Sequence, residues 1–248
     1  MKSMNESIAL YSNAALPQLK QAFNTNLAAM ERIESRLVKT VKAGGSLLIF
    51  GSGHSSLFPL EFYHRAGGPS FVIPLVADFL MPTAGPPVAR ILERTPGLAT
   101  VVLRRAEPKK GEMLWLSSQS GVNAGVIDVA IEAKKLGLHT VAFTSLRHSK
   151  SVPSRHPSKK KLFEVCDETM DLGGMVGDAA VPVGRGVSAG PLSTLTGIFL
   201  GHSILVSACA TLEKKGVRCV YTSVNTPEGE KRNRKIEQVA ALRDPLLR

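Results

Sequence analysis

Apolar residues near the start of the chain recur with a helical period. Leu16, Leu19, Phe23, Leu27, Met30, Ile33, Leu37 and Val41 step by three or four positions, a mean of about 3.6, one turn of an α-helix. Polar Gln18, Gln21, Asn24, Asn26, Glu31 and Glu34 fill the other faces, and Gly44-Gly45 supplies a C-terminal stop. So long an apolar stripe needs a large surface to cover it, either the chain's own core or a second copy.

Beyond Gly45 the pattern shortens. Residues 46–50 (SLLIF) form an apolar run ending in Gly51-Ser52-Gly53-His54-Ser55-Ser56, a buried strand entering a glycine turn. A helix is expected over 57–66, stopped by Gly67-Gly68. Further strands are expected at 71–74, at 113–116 and at 140–143, with a weaker fifth beginning at 163–165. Val126, Val129, Ala130, Ala133 and Leu136 return at helical spacing until Gly137. Short apolar strands alternating with helices imply parallel crossovers, hence a three-layer α/β/α sandwich around a mainly parallel five-stranded sheet. Ligands of such sheets sit at the carboxyl ends of the strands, where the polar loops fall. Residues 145–161 carry six Lys or Arg and no acid, and 173–190 are rich in glycine. Residues 191–212 read as a second apolar helix, and the chain from 222 is polar and basic, with a weak helical stretch at 236–242. The expected organisation is an N-terminal helix over 1–44, a core over 45–221 and a polar tail over 222–248.

Composition narrows the choice of partners. The 248 residues are 44% hydrophobic and 21% charged, ordinary for a globular chain. Lys and Arg outnumber Asp and Glu by 31 to 20, a net charge of +11, which favours an anionic partner. Aromatics are only 5%, too few to offer a stacking platform for unpaired bases, so nucleic acid is not expected. Cys166, Cys209 and Cys219 are odd in number and form no C-x-x-C, which argues for a reducing, cytoplasmic setting. Residues 197–212 are interrupted by His202 and Ser203, so no membrane span is expected. His54, His64, Asp178 and His202 are scattered; neither a metal nor a cofactor is expected.

The loop at 51–56 lacks a dinucleotide fingerprint. Ser56 stands where a third glycine would be, and Asp78 lies 25 residues beyond Gly53. What remains is a turn with exposed N–H groups and the hydroxyls of Ser52, Ser55 and Ser56 where a helix begins, which suits an anion. A plain N-cap serine explains that loop equally well. Ser118-Gln119-Ser120-Gly121-Val122-Asn123 repeats the arrangement after another strand. Two such loops at neighbouring strand ends point to a phosphate site.

Those loops are where the sequence resembles the sugar isomerase (SIS) domain family. The S-x-S-G-x-S/T signature is matched by Ser118, Ser120 and Gly121, with Asn123 in the last position. The strings at 62–68, 144–156, 176–180 and 190–194 are similar to a bacterial subfamily of phosphosugar-binding proteins. The resemblance implies a sugar phosphate held by Ser55, Ser118, Ser120 and Asn123, with Asp178, Ser193 and Thr194 in matching strings. It also implies a homodimer or homotetramer with sites near subunit boundaries. An acidic, His-containing segment of the relatives is replaced here by Glu230-Lys231-Arg232-Asn233-Arg234.

Aldose–ketose isomerisation needs a base and a proton relay. Glu61 is the expected base, since a glutamate in this region is catalytic in several SIS enzymes. On a continuing helix His64 and Arg65 would share its face, and Arg65 could steady Glu61 or an enediolate oxygen. The ordinary reading is a surface Glu–Arg pair. His202 reads first as a hydrogen-bonded core histidine; the resemblance makes it a second acid/base candidate. His54, in the first loop, is a ligand contact able to protonate a ring oxygen. Within 145–161, Lys150, Arg155 and His156 are expected to close as a lid over an anionic sugar. The favoured function is a phosphosugar isomerase. The alternatives are a lyase or etherase on an amino-sugar phosphate, or a non-catalytic phosphosugar sensor.

Overall fold

The structure, a computed structural model, describes residues 4–247. After a short helix at Met4–Ile8, here α1, the long helix α2 runs over Leu10–Lys42. Then follow β1 Leu47–Gly51, α3 Leu57–Phe62, β2 Val72–Leu75, α4 Pro86–Leu92 and α5 Thr100–Arg105. The second half brings β3 Met113–Ser117, α6 Ala124–Lys135, β4 His139–Thr144, α7 Leu146–Ser151, α8 Leu162–Val165 and β5 Glu168–Asp171. A hairpin of β6 Ala179–Gly184 and β7 Val187–Pro191 leads into α9 Ser193–Lys214, and α10 Pro227–Ala240 closes the fold.

Strands β2-β1-β3-β4-β5 lie side by side in that order. All four pairings are parallel, with Leu47 opposite both Val72 and Met113, and Val141 opposite Glu168. Alternate residues face opposite sides. Leu47, Ile49, Trp115 and Phe143 pack with Ile33 and Leu37 of α2, Phe58 and Phe62 of α3, and Leu200 and Ile204 of α9. Leu48, Phe50, Leu114 and Leu116 pack on the other side with Leu103, Val126, Ile127 and Ala130. Both faces are covered, so the central strands are apolar throughout, as parallel strands require. Phe58 and Phe143 lie 4.8 Å apart and Trp115 and Phe143 5.1 Å apart, between ring centroids. This aromatic cluster seats α3, the helix that follows the first serine loop. At Gly201 a Cβ would stand 2.5 Å from Phe62, so α9 crosses α3 closely only because that residue is glycine.

Several sequence expectations are corrected. Residues 163–165 are helical, stabilised by the Lys161 N–H donating to Glu164 Oε2 at 2.7 Å. The fifth strand begins at Glu168, and within it only Met170 is buried, so a hydrophobic pattern could not reveal it. The glycine-rich stretch holds a hairpin whose turn places Arg185 and Gly186 at positive φ, the requirement of a type I′ turn. Helix α3 stops at Phe62 rather than continuing to residue 66: Tyr63 is extended and His64 has φ +41°. The segment from Thr222 is folded onto the body. Asn233 accepts from the Thr222 N–H at 2.9 Å, and Arg243 forks onto buried Glu112 at 2.6 and 2.7 Å. Helix α9 is the one helix among the described residues long and apolar enough to cross a membrane; it packs as a core helix on α2 and α3.

Of the predicted α2 stripe, Met30, Ile33 and Leu37 are buried, whereas Leu16 and Leu27 are 65% and 46% exposed. The buried face turns instead through Ala22 and Asn26. Asn26 donates to Asp171 O and accepts from Asp171 N–H at 2.8 Å each, tying the helix to the edge strand.

Candidate functional site

The two serine loops converge. At Gly51 a Cβ would fall 2.0 Å from Ser55 O. Only glycine therefore lets the chain fold back so tightly after β1 and present Ser52, Gly53, His54 and Ser55. The second loop turns at Gly121, where φ is +61° and a Cβ would meet Thr144 Oγ1 at 2.9 Å. Ser118 Oγ accepts the Gly121 N–H at 3.1 Å, which leaves the serine proton free to donate outward. Both loops line one cavity of about 460 Å³ at the carboxyl ends of the strands.

Ser52, His54, Ser55, Ser118, Ser120 and Asn123 all line this cavity, as do Asp178, Ser193 and Thr194 from the other side. Arg155 Nη1 donates to Asn123 Oδ1 at 3.0 Å. That bond fixes the amide and turns its NH₂ away from the arginine, ready to donate to a ligand. Asp178 is already engaged: it accepts from the Leu192 and Ser193 N–H groups at 3.2 and 2.9 Å and from Ser193 Oγ at 2.5 Å. Its carboxylate occupies the start of α9, so Asp178 and Ser193 shape the wall, and Thr194 is the residue of the three with its hydroxyl uncommitted.

Three predicted contacts are corrected. Ser56 is buried, and its hydroxyl donates to Gly53 O at 2.7 Å, so it holds the turn together. His156 is buried, with Nδ1 accepting the Ser158 N–H at 3.0 Å and Nε2 at 2.9 Å from Asp128 Oδ1. An accepting Nδ1 puts the ring proton on Nε2, which donates to Asp128. His156 therefore pins its loop and does not face the cavity. That loop is further fastened by the Arg155 and Leu162 N–H groups donating to Val122 O and Gly121 O, so it is a fixed wall. Lys150 is exposed and is not among the lining residues.

Glu61, Arg65 and His202 form a separate cluster. Glu61 Oε1 takes a hydrogen bond from Arg65 and stands 3.1 Å from His202 Nε2. The His202 ring meets Phe62 edge-on at 4.8 Å. Arg65 reaches Glu61 through the turn after α3 and not along a helix face, while His64 bonds Glu237 at 3.0 Å. None of Glu61, Arg65 and His202 lines the cavity.

The cavity also contains groups that the sequence reading missed. Gln119 Oε1 and His148 Nδ1 are buried without a hydrogen-bond partner among the described residues, and both residues are among those lining it. Glu93, at the end of α4, has its carboxyl pushed above the usual range by burial, against the opposing pull of Arg94, the Ser52 hydroxyl, Arg155 and Arg90. Helix α4 lay in a stretch with no strong periodicity, so nothing singled Glu93 out. His148 sat in the basic segment, where a missing partner is not visible. Among the described residues, no three His, Cys, Asp or Glu side chains are grouped to hold a metal.

A parallel sheet with paired serine loops over its carboxyl edge is the arrangement expected of an SIS domain, and the family comparison agrees. The chain belongs to the SIS domain family, whose profile matches residues 10–145. Similar proteins include UPF0309 proteins. One from Shouchella clausii is 36% identical over 218 residues, 87% of this chain and 89% of that protein. One from Brucella ovis is 27% identical over 98% of this chain and all of that one. Among solved structures, phosphoheptose isomerase from Neisseria gonorrhoeae superposes with a TM-score of 0.54 at 15% identity, over 84% of this chain and all of that one. The Vibrio vulnificus NanR protein complexed with ManNAc-6P gives 0.51 at 17% identity, over 94% of this chain and 68% of that one.

Proposed function

We propose that this protein binds a sugar phosphate in the cavity between the serine loops and interconverts its aldose and ketose forms. The carrying observation is the convergence of both loops on one cavity, with the unpaired atoms Gln119 Oε1 and His148 Nδ1 belonging to residues of its wall. Ser55, Ser118, Ser120 and the Asn123 amide hold the phosphate. Glu61 lies on the helix that the first loop opens, outside the cavity lining itself, so this reading requires its carboxylate to be brought to the sugar carbons when ligand binds. As base it takes the C2 proton and returns it to C1. His202, bonded to Glu61, relays a proton between O1 and O2, and Arg65 stabilises the enediolate oxygen.

A specific observation favours a second reading, the non-catalytic sensor: the Glu61 cluster closes on itself outside the cavity. A thermal-shift screen of sugar phosphates finds the ligand, since one at 100 times its Kd stabilises by about 2.7 kcal/mol. NMR in D₂O then separates the readings. Exchange of the C2 proton, abolished in Glu61→Gln with affinity kept within about tenfold, supports the isomerase. Binding without exchange supports the sensor.

We also propose that the protein is a homodimer or homotetramer using the outer face of α2 and α9. Leu16, Leu27, Leu195, Phe199 and Val206 are exposed there, and light scattering giving a single-chain mass contradicts this.

A further inference from the structure

Two carboxylates face the cavity, and they are not equivalent. Asp178 is spent on the start of α9. Glu93 keeps one long contact, from Ser52 Oγ at 3.4 Å. It sits between the two serine loops. Its carboxyl oxygen is the nearest heavy atom to a Cβ built at Gly53, at 3.5 Å, and its backbone carbonyl accepts the Gly125 N–H in the first turn of α6 at 3.0 Å. A dianion held by both loops would therefore lie beside this carboxyl. An ionised carboxylate there repels it; a carboxylic acid offers it a proton. Among the described residues no cation is hydrogen-bonded to the Glu93 carboxyl: Arg155 is occupied with Asn123, and Arg90 and Arg94 act through space. The other titratable or charged groups lining the cavity are His54, Arg90, Arg94, His148 and Asp178, so the arginines attract an anion and an ionised Glu93 offsets them.

We propose that Glu93 is the proton-linked gate of this anion site, donating a hydrogen bond to the bound phosphate as a neutral acid and repelling it as a carboxylate. The inference rests on the reading of the cavity as a phosphate site. Anion binding then draws one proton from solution onto Glu93 Oε whenever that oxygen is ionised beforehand. Burial already raises the Glu93 carboxyl above the usual range, the direction that favours taking up this proton.

Sulfate is the probe, because it stays dianionic across the pH range and any pH dependence belongs to the protein. Its Kd is measured from pH 5 to 8.5 for the wild type and for Glu93→Gln. His54 and His148 are common to both proteins and cancel in the ratio. The wild-type-to-variant ratio of Kd is expected to rise with pH across this range, by up to about tenfold for a one-unit upward shift of the Glu93 carboxyl on binding. In weak buffer across the same pH range, wild-type protein should also take up more protons than Glu93→Gln when sulfate is added, since uptake by His54 and His148 is common to both. A constant ratio, a variant that binds more weakly at every pH, or no excess proton uptake by the wild type overturns the gate. Failure of the site itself looks different: wild type then binds neither sulfate nor inorganic phosphate at any pH, and the gate falls with it.

Discussion

The two ends of the central sheet carry two polar concavities, and the larger is the less useful. At the amino ends of the strands a groove of about 830 Å³ runs between α2 and the starts of β4 and β5, past Arg32, Arg36, His139, Asp167 and Glu168. Four of its charged or titratable groups are engaged in ion pairs. Arg32 and His139 both bind Glu168, at 3.0 and 3.1 Å, and Asp167 takes Lys134 Nζ at 2.7 Å. Below it, Arg243 and Glu112 form a buried, two-pronged ion pair that also collects the Ser46 and Lys109 N–H groups. The smaller cavity at the carboxyl ends keeps unpartnered polar atoms, free hydroxyls and a carboxyl without a bonded cation. One end of the sheet is built to hold the fold, the other to meet a ligand. Unsatisfied polar groups, not volume, mark the difference, because a buried donor or acceptor left unpaired costs stability unless a ligand or water answers it.

Substitutions at the two ends should therefore separate stability from binding. The largest effect is expected for Arg243→Ala, which leaves Glu112 buried and unpaired. Denaturant unfolding should show a loss of about 3–5 kcal/mol, with unchanged sugar-phosphate affinity in the folded fraction. Next are Ser118→Ala and Ser120→Ala, each made singly. Each lost charge-assisted hydrogen bond should cost about 1.5–3 kcal/mol of phosphate binding in calorimetric titration, with little change in Tm. Arg155→Ala frees the Asn123 amide and should weaken binding by about 1 kcal/mol, while Arg155→Lys, unable to reproduce the planar fork, should not restore it fully. The smallest effect belongs to Arg32→Ala at the amino end. The pair is largely exposed on the arginine side, so a stability loss of no more than about 1 kcal/mol and no change in affinity are expected.

Local patterning made much of this legible. The long helix, four of the five strands and the two serine loops all follow from apolar runs and glycine turns that act over a few residues. Strand β5 did not, because an edge strand with one buried side chain leaves no hydrophobic trace. The α2 stripe was read by period alone, but burial follows the partner surface: Asn26 is inside because Asp171 answers it, and Leu16 is outside because nothing described covers it. The site divided in the same way. Ser118, Ser120 and Asn123 were readable from their loop. Ser56 and His156 were misread because their hydrogen bonds turn them inward, and Glu93, Gln119 and His148 became candidates only when tertiary structure showed what they lack.

The contrast between the two ends is tested most directly by amide hydrogen exchange with and without a saturating sugar phosphate. The expected result is slowed exchange across residues 52–57 and 118–125, with residues 31–43 and 166–169 unchanged. Protection centred on 31–43 and 166–169, with the serine loops unaffected, would contradict the account and move the ligand to the amino end of the sheet.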